Sequence, residues 1–357
     1  MTHARPSAAM SALAVAFPSI VRTNEYWREH HPDLVRSASE HALDKLWARE
    51  DAISTFERAM APYAQDPFKG ARERRILAPD ETALDIEAAA VSGVLDAAGL
   101  DPRDLDLVLV SSMRPDTIAV GDAAWLTRRL DLRCPAVNLE TACSSSVFGF
   151  DLASALVSAR RYERILVVAS CTYSRDIDET STLAWFLADG AGAFVVEARD
   201  DGTGWLGSKA IHTAETCGAF VHELAIADGR PTMKMRATKT AGNILHDTAE
   251  PYLRACCQGA LDSAGLRIED VDFAIFNTPT AWYADFGAAV LGIDRERTIS
   301  TYPVYTNIGP ALMPANLYEA ASRGLVSPGD IVLLYSVGSA STAMAVVMRW
   351  GEVRLGR

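Results

Sequence analysis

The sequence predicts an α/β protein made of two related halves. Residues 94–110 and 260–276 match without a gap, at an offset of 166 positions. Each segment has the pattern of a helix end, a glycine cap, an acidic turn and an apolar strand. A repeat of about half the chain indicates a pseudo-two-fold fold, because each half then buries its apolar face against the other. Strand and helix patterns alternate within each half, which favours layers of helices and sheets.

Composition sets the class of protein. The chain has 357 residues, of which 49% are hydrophobic and 22% charged, as in an ordinary globular protein with a sizeable core. We divide it into an N-terminal half, 1–200, and a C-terminal half, 201–357, with an irregular insert at about 22–80. A net charge of −12 argues against nucleic acid as the main partner.

Two further classes are excluded by pattern. No apolar stretch reaches transmembrane length, so no membrane partner is expected. The apolar run 10–17 is short for a signal peptide and precedes Pro18, so we expect it to be a first strand. The six cysteines lack CxxC spacing, which favours a reducing, cytoplasmic setting and predicts neither disulfides nor a metal site.

Cys143 is the first candidate nucleophile. It follows an apolar stretch, 135–139, that we interpret as a buried strand, and it precedes a helical pattern at 148–160. A thiol at the start of a helix faces unpaired N–H groups, which lower its pKa and favour the reactive thiolate. A small buried cysteine fits the same position equally well. The repeat offset maps Cys143 onto Gly309, so we expect its turn to meet the loop of Asn307.

The insert offers fewer signals. Residues 24–51 are charged and rich in His and Trp, and 52–61 have a helical pattern that Pro62 discourages from continuing. The arginines at 72, 74 and 75 fit either a phosphate site or, more commonly, a solvated basic turn.

Several short segments together carry a family resemblance. They are Gly-Ala-Arg-Glu-Arg-Arg-Ile at 70–76, the segment around Cys143, Leu-Ala-Asp-Gly-Ala-Gly-Ala at 187–193, Gly-Asn at 242–243, Thr-Asn-Ile-Gly at 306–309 and Gly-Ser-Ala-Ser-Thr at 338–342. In this order and spacing the chain resembles the thiolase-superfamily condensing enzymes, nearest the β-ketoacyl carrier-protein synthase III branch. The resemblance implies a five-layered αβαβα thiolase fold, a homodimer, and a cysteine that takes an acyl group from a thioester.

The chain also departs from that family pattern. The family's His-Gln-Ala-Asn run falls on Asn277 to Thr280, so asparagine replaces the catalytic histidine and Thr280 becomes a candidate substrate contact. Asn307 falls on the family's catalytic asparagine. The glycine whose N–H helps form the oxyanion hole falls on Ser339, and a backbone donor survives that change. Glu140 stands where a small residue is usual, and we expect its side chain to point away.

The replacement of the histidine by Asn277 changes the predicted reaction. Asparagine donates a hydrogen bond but cannot take up a proton, and losing one oxyanion donor costs about 10²–10³ in rate. Transfer of an acyl group from Cys143 to a hydroxyl or amine is therefore easier than carbon–carbon bond formation. This resembles a subgroup in antibiotic biosynthesis that acylates a sugar hydroxyl. Two alternatives remain: a β-ketoacyl synthase III-type condensing enzyme, and a non-catalytic subunit of a heterodimer.

The acyl donor is predicted from two further positions. The family residues that hold coenzyme A fall on Phe68 and Ala64, which weakens a coenzyme A donor and favours an acyl carrier protein. The phosphopantetheine thioester is then substrate, and no cofactor is expected. Two basic clusters, each more commonly plain surface, are candidate docking rims: Arg160, Arg161 and Arg164, or Lys234, Arg236 and Lys239.

Proton handling must move elsewhere when Asn277 replaces histidine. His246 lies near a helix start where the family has an aromatic residue lining the pantetheine tunnel, and we take it as the best single candidate base. For His212 and His222, which flank a predicted loop, a structural role is favoured. The histidines at 30, 31 and 41 lie in the insert and are expected to be exposed.

Overall fold

The structure is a computed structural model that describes residues 7–46, 54–227, 229–238, 240–339 and 341–356. The strands of the first half and the insert are β1 (Ser7–Ala16), β2 (Ile20–Thr23), β3 (Glu73–Ile76), β4 (Leu107–Ser112), β5 (Ala136–Asn138), β6 (Arg164–Thr172) and β7 (Asp189–Arg199). The later strands are β8 (Gly204–His212), β9 (Phe220–Ala227), β10 (Arg230–Ala237), β11 (Phe273–Phe276), β12 (Ile331–Gly338), β13 (Thr342–Arg349) and β14 (Arg354–Leu355).

The helices fall between these strands. They are α1 (Asn24–His30), α2 (Pro32–Leu46), α3 (Thr55–Met60), α4 (Ala83–Ala98), α5 (Asp122–Leu130), α6 (Ser145–Ser158), α7 (Ala241–Ala264), α8 (Tyr283–Leu291), α9 (Tyr302–Tyr305) and α10 (Leu312–Ser322). Short 3₁₀ turns precede α6 and α10, at Ala142–Ser144 and Gly309–Ala311.

Two large sheets share one topology. The first has the order β14-β1-β7-β6-β4-β5 and the second β11-β12-β13-β8. In the first, β4 runs parallel to β6, which is antiparallel to β7, which is antiparallel to β1. In the second, β11, β12, β13 and β8 repeat these senses in the same order. The repeat in the sequence therefore corresponds to four strands of equivalent topology in each half, and the first sheet has two more, β14 beside β1 and β5 beside β4.

The alternation of strand residues explains the layering. Leu107 and Leu109 of β4 face a core shared with α6, α10 and the second sheet. Val108 and Val110 point to the opposite face, where they pack with α4 and α5. The outer face of the second sheet is covered by α7 and α8. Helices thus cover the outer face of each sheet and also fill the layer between the two sheets. The predicted five-layered αβαβα arrangement is confirmed.

The glycine caps of the repeat take the conformation that their pattern predicts. Gly99 ends α4 at a φ of 66°, and Gly265 ends α7 at a φ of 68°. This left-handed conformation is cheap for glycine because it has no Cβ. Each cap leads through a 3₁₀ turn into a buried strand, β4 in one half and β11 in the other.

The insert differs from its prediction. It is not irregular: α1, α2, α3 and the β2–β3 pair are formed within it. The hydroxyl of Ser54 caps α3, which begins at Thr55, and the helix start predicted at 52 lies outside the described residues. Arg74 is neither solvated nor free to bind phosphate. Its guanidinium is fully buried between Trp27 and Phe68, 4.8 and 5.5 Å from their ring centroids, and burial lowers its pKa to about 10.

The strand before Cys143 also differs. The sequence predicts a buried strand there, but β5 is the edge of the first sheet and Val137 is 49% exposed. A short apolar run has the same sequence pattern whether its strand lies at the edge of a sheet or at its centre. Among the described helices, none combines the length and the apolar composition needed to cross a membrane.

We predict that the central layer tolerates truncation poorly. Phe150 of α6 is fully buried and meets Phe194 edge to face, with ring centroids 6.1 Å apart. Phe150→Ala should lower the free energy of unfolding by about 3–5 kcal/mol, because it leaves a cavity between the two sheets. Urea denaturation measures the loss. Phe148→Ala, on the same helix but half-buried, is the matched control, and an equal loss there would contradict the argument.

Candidate active site

The turn of Cys143 is held in a strained conformation. Ala142 has a φ of 55°, in a region that residues with a Cβ rarely occupy. Such a conformation persists only where neighbouring bonds fix it. The hydroxyl of Ser144 lies within hydrogen-bond distance of two backbone carbonyls, that of Thr141 at 2.8 Å and that of Thr342 at 3.1 Å, and donates its one hydrogen between them. Cys143 is thereby placed one turn before α6.

The second half of the chain holds this turn in place through hydrogen bonds and close packing. The carbonyl of Cys143 accepts a hydrogen bond from Ser336 Oγ of β12 at 2.7 Å and one from Asn277 Nδ2 at 3.3 Å. Gly338 approaches so closely that an added Cβ would collide with the carbonyl oxygen of Thr141. The end of β12 therefore requires glycine, and it brings the following residue, Ser339, beside the turn.

The loop of Asn307 meets the Cys143 turn, as the repeat offset predicts. The 3₁₀ turns Ala142–Ser144 and Gly309–Ala311 are in contact. Asn307 forms a bridge with Leu187, and its Oδ1 accepts the N–H of Gly309 at 2.8 Å. That bond fixes the orientation of the amide, and the role of Asn307 as a catalytic donor stays a prediction.

Tyr173 is a site residue that the sequence did not reveal. It lies just after β6, it is 2% exposed, and its Oη is 4.0 Å from the sulfur of Cys143. Burial, with the neighbouring thiols, raises the pKa of Tyr173 well above its usual value. The phenol therefore stays protonated near neutral pH and acts as a hydrogen-bond donor. No motif distinguishes this tyrosine; only its contact with Cys143 does.

The thiol pKa corrects an expectation from the sequence. The helix start predicts a lowered pKa, whereas burial raises the pKa of Cys143 to about 11. Hydrogen bonds from Tyr173 and Asn277 act to lower this pKa, whereas the carboxylate of Glu140 acts, like burial, to raise it. The partial charge of a helix end is small beside the cost of placing a full charge in a buried site. Cys143 therefore rests as a neutral thiol.

Glu140 braces the nucleophile turn. Its carboxylate accepts the N–H of Ala142 at 2.6 Å and the hydroxyls of Ser145 and Ser111 at 3.2 and 3.3 Å. Burial of that end raises the pKa of Glu140. The side chain thus folds back onto the backbone of the turn, while the residue as a whole stays exposed.

Three other predicted site residues lie just after the ends of β11 and β12. Asn277 is 2% exposed and its Oδ1 is buried without a partner among the described residues. Thr280 is half-buried, and its hydroxyl likewise has no partner within the described chain. Ser339 is half-buried in the turn after β12. The roles of Thr280 in substrate binding and of the Ser339 N–H in the oxyanion hole stay predictions.

His246 is not brought to Cys143. It lies in α7, where Nε2 is 3.2 Å from Ser54 Oγ and Nδ1 is 2.8 Å from a carboxylate oxygen of Asp247. Its ring packs edge to face on Phe56 of the insert. Both nitrogens are engaged on the side of α7 that faces α3, so the geometry gives no support to His246 as the base.

Phe68 is likewise placed away from any open surface. It is fully buried and packs on Trp185, with ring centroids 4.6 Å apart. Its contact with an acyl donor stays a prediction that would require this aromatic cluster to open.

The two basic clusters are partly neutralised. Arg164 pairs with Glu197 at 3.4 Å, and Arg236 pairs with Glu223 at 2.9 Å. Lys239 lies outside the described residues. All six cysteines are free thiols, and the described residues contain no group of three or more His, Cys, Asp or Glu suited to a metal ion.

Comparison with known proteins accords with this geometry. Residues 137–214 match the family described as 3-oxoacyl-[acyl-carrier-protein (ACP)] synthase III, and residues 261–350 match its C-terminal part. The β-ketoacyl-[acyl-carrier-protein] synthase III of Chelativorans sp. (strain BNC1) is 31% identical over 291 residues, 79% of this chain and 88% of that protein. That of Brucella abortus (strain S19) is 30% identical over 290 residues, with the same coverage.

Solved structures show the same fold. The synthase III (FabH) of Pseudomonas aeruginosa PAO1 superposes with a TM-score of 0.80 at 21% identity, covering 97% of this chain and 98% of that one. OleA of Xanthomonas campestris gives 0.76 at 18% identity, covering 98% and 100%. The five layers are thus those of the thiolase fold, and the similarity to the curated relatives shows that the chain belongs to the β-ketoacyl-[acyl-carrier-protein] synthase III family.

Proposed function

We propose that this enzyme takes an acyl group from a carrier-protein or coenzyme A thioester onto Cys143 and passes it to a hydroxyl or amine. The acceptor class is a specialised metabolite, with a sugar hydroxyl as the best fit to the antibiotic-pathway subgroup that the sequence resembles. The observation that carries the proposal is the side chain at the end of β11. There Asn277 donates to the carbonyl of Cys143, and no titratable group stands in that position.

The carbon–carbon reaction depends more heavily on this position. Decarboxylation of a malonyl thioester produces an enolate whose oxygen needs strong donors, and each donor is worth about 10²–10³ in rate. Because Asn277 Nδ2 is directed to the Cys143 carbonyl, it is committed to supporting the nucleophile turn. Nucleophilic attack on an acyl-cysteine needs an oxyanion hole but no enolate stabilisation. Tyr173 Oη, 4.0 Å from the sulfur, and Asn307, whose loop contacts the Cys143 turn, suit that lesser demand.

A condensing enzyme is the second candidate. It is favoured by the relatives themselves, which are named β-ketoacyl-[acyl-carrier-protein] synthase III. Tyr173 and Asn307 would then have to supply the two enolate donors. A non-catalytic subunit is less well supported, since Cys143 and Asn307 are both present and their loops are in contact.

The working form that we propose is a homodimer in the reducing cytoplasm. The exposed edge strand β5 carries Val137, and large apolar side chains are also exposed nearby in sequence at Ile118, Val120 and Trp125. An exposed apolar edge strand is a template for pairing, and a second copy of the same strand is a self-complementary partner. Six free thiols fit a compartment that keeps cysteines reduced.

The proposed transfer is tested by following the malonyl group. With a carrier protein charged with carboxyl-labelled malonate, Cys143 should gain the full malonyl mass and release little labelled carbon dioxide. Cys143→Ala should show no gain in mass. Release of carbon dioxide in step with a new carbon–carbon product would establish the condensing enzyme instead.

The resting state of the nucleophile predicts a pH dependence. With the thiol pKa raised to about 11, the thiolate fraction and the alkylation rate of Cys143 by iodoacetamide should rise about tenfold per pH unit from pH 7 to 10. Peptide mapping by mass spectrometry gives the rate. The exposed Cys217 shows in the same sample that the reagent is active. A rate that levels off below pH 8 would show that the helix start outweighs burial.

The dimer is tested at the edge strand. Val137→Lys should convert a dimer into a monomer in light scattering after size exclusion, since a charge at the centre of the pairing face would be buried. Leu325→Lys, at a residue that is similarly exposed but follows α10, is the control and should stay dimeric. A parent chain that is already monomeric would refute the proposed assembly.

A further inference from the structure

His222 is linked to the nucleophile through one tyrosine, although its sequence pattern favoured a structural role. It is carried by β9, which pairs with β10 in a hairpin that joins neither large sheet. Its ring is nearly parallel to that of Tyr173, with an interplanar angle of 14° and centroids 6.1 Å apart. The hydroxyl of the same tyrosine is 4.0 Å from the sulfur of Cys143. One tyrosine therefore separates this imidazole from the thiol.

The tautomer of His222 is set by a buried carboxylate. Nδ1 of His222 is 2.8 Å from Oδ2 of Asp176, and the other oxygen of Asp176 pairs with Arg114 at 3.2 Å. Burial acts to raise the pKa of Asp176, but its hydrogen bond with His222 and the charge of Arg114 outweigh burial, and its pKa is lowered overall. An ionised Asp176 accepts a hydrogen bond from Nδ1–H, which leaves Nε2 with a free lone pair.

That second nitrogen is unsatisfied. Nε2 of His222 is buried and has no hydrogen-bond partner among the described residues. A buried polar atom without a partner costs about 1–3 kcal/mol, and such atoms are rare enough to need an explanation. A histidine oriented by a carboxylate, with its other nitrogen unoccupied next to a nucleophile, has the arrangement of a general base.

We propose that His222 is the general base of the transfer step and that Asp176 is its positioning residue. This inference rests on the proposed acyl transfer to a hydroxyl or amine. It assigns the proton-accepting role that Asn277 cannot fill to a residue outside the family motif. In this proposal the acceptor's hydroxyl reaches the buried Nε2 by displacing the hairpin, which joins neither large sheet.

The transfer step forms one carbon–oxygen bond and breaks one carbon–sulfur bond. The acceptor oxygen attacks the carbonyl carbon of the acyl-cysteine while its proton passes to Nε2 of His222. The tetrahedral intermediate collapses, the carbon–sulfur bond breaks, and the new ester leaves. The thiolate of Cys143 then takes the proton back from the imidazolium, which restores the neutral thiol and the neutral imidazole. Because the thiol pKa is raised to about 11, this return of the proton is strongly favoured.

Other charged groups around His222 fit this cycle. Asp176 and Glu140 are carboxylates that stabilise a transient imidazolium, and Arg114 opposes it. Neither His246 nor His30 offers a buried free nitrogen. Both nitrogens of His246 have hydrogen-bond partners, and Nδ1 of His30 is 2.8 Å from the carbonyl oxygen of Tyr26.

The experiment separates loading from release. Cys143 is charged from an acetyl carrier protein, and decay of the acetyl-enzyme is followed by intact mass with glycerol as the hydroxyl probe and with hydroxylamine. His222→Gln should still load, and should slow transfer to glycerol by roughly 10²–10⁴, the usual worth of a general base. Hydroxylamine attacks without such a base, so its reaction should change far less.

Three further variants sharpen the outcome. Asp176→Asn should slow transfer to glycerol at least about tenfold, as for an oriented histidine that loses its partner. In the parent enzyme the pH profile of transfer to glycerol should show one inflection, and that inflection should be absent in His222→Gln. His212→Gln, at an exposed histidine, is the matched control and should behave as the parent. His246→Gln tests the base predicted from the sequence.

The outcomes distinguish the two proposals. If the parent forms no acyl-enzyme on Cys143 with either the acetyl or the malonyl carrier protein, the proposed function fails, whatever His222 does. If the acetyl-enzyme forms and His222→Gln releases it to glycerol at the parent rate with the parent pH profile, the assignment of His222 is overturned and the function stands. A loss confined to His246→Gln would overturn it in the same way.

Discussion

The site depends on two hydrogen bonds to one carbonyl. The backbone oxygen of Cys143 accepts Ser336 Oγ and Asn277 Nδ2, and both donors come from the other half of the chain. The nucleophile turn contains a left-handed alanine, Ala142, which would relax without such support. The strained turn therefore exists only when the two halves are packed. The central helix layer, shared by both sheets, is what keeps that packing fixed.

The parts of the fold that were predictable from the sequence are those with a local cause. Glycine at positions 99 and 265 ends a helix in either half because only glycine adopts that conformation cheaply. The apolar strands that follow could be matched by offset, and the same offset placed the Asn307 loop against Cys143. The edge position of β5 could not be predicted, because an apolar triplet does not show whether its neighbour is another strand or a second subunit. The buried Arg74 was misassigned for a similar reason, since its aromatic partners are distant in sequence.

The chemistry of the site was harder to predict than its location. The thiol pKa depends on how deeply the sulfur is buried and on which charges face it, and Tyr173 and Glu140 reach it from separate segments. Spacing alone favoured His246 because it lies at a helix start near the expected tunnel. A helix presents its residues to all sides, however, and His246 faces the insert. His222 had no motif, and only the register of the hairpin places it beside Tyr173.

Replacing an imidazole by an amide at the end of β11 has a consequence for the loaded enzyme. A family-type histidine beside the sulfur would activate water as readily as any other acceptor, so the acyl-cysteine would be exposed to hydrolysis. Asn277 cannot do this, and the neighbouring phenol of Tyr173 stays protonated. In the transfer that we propose, the acyl group then waits on Cys143 until an acceptor reaches the base on the hairpin, with Tyr173 between that base and the thiol. An enzyme that delivered its acyl group to a scarce metabolite rather than to water would gain from that separation, because selectivity between the two is decided by access to the base.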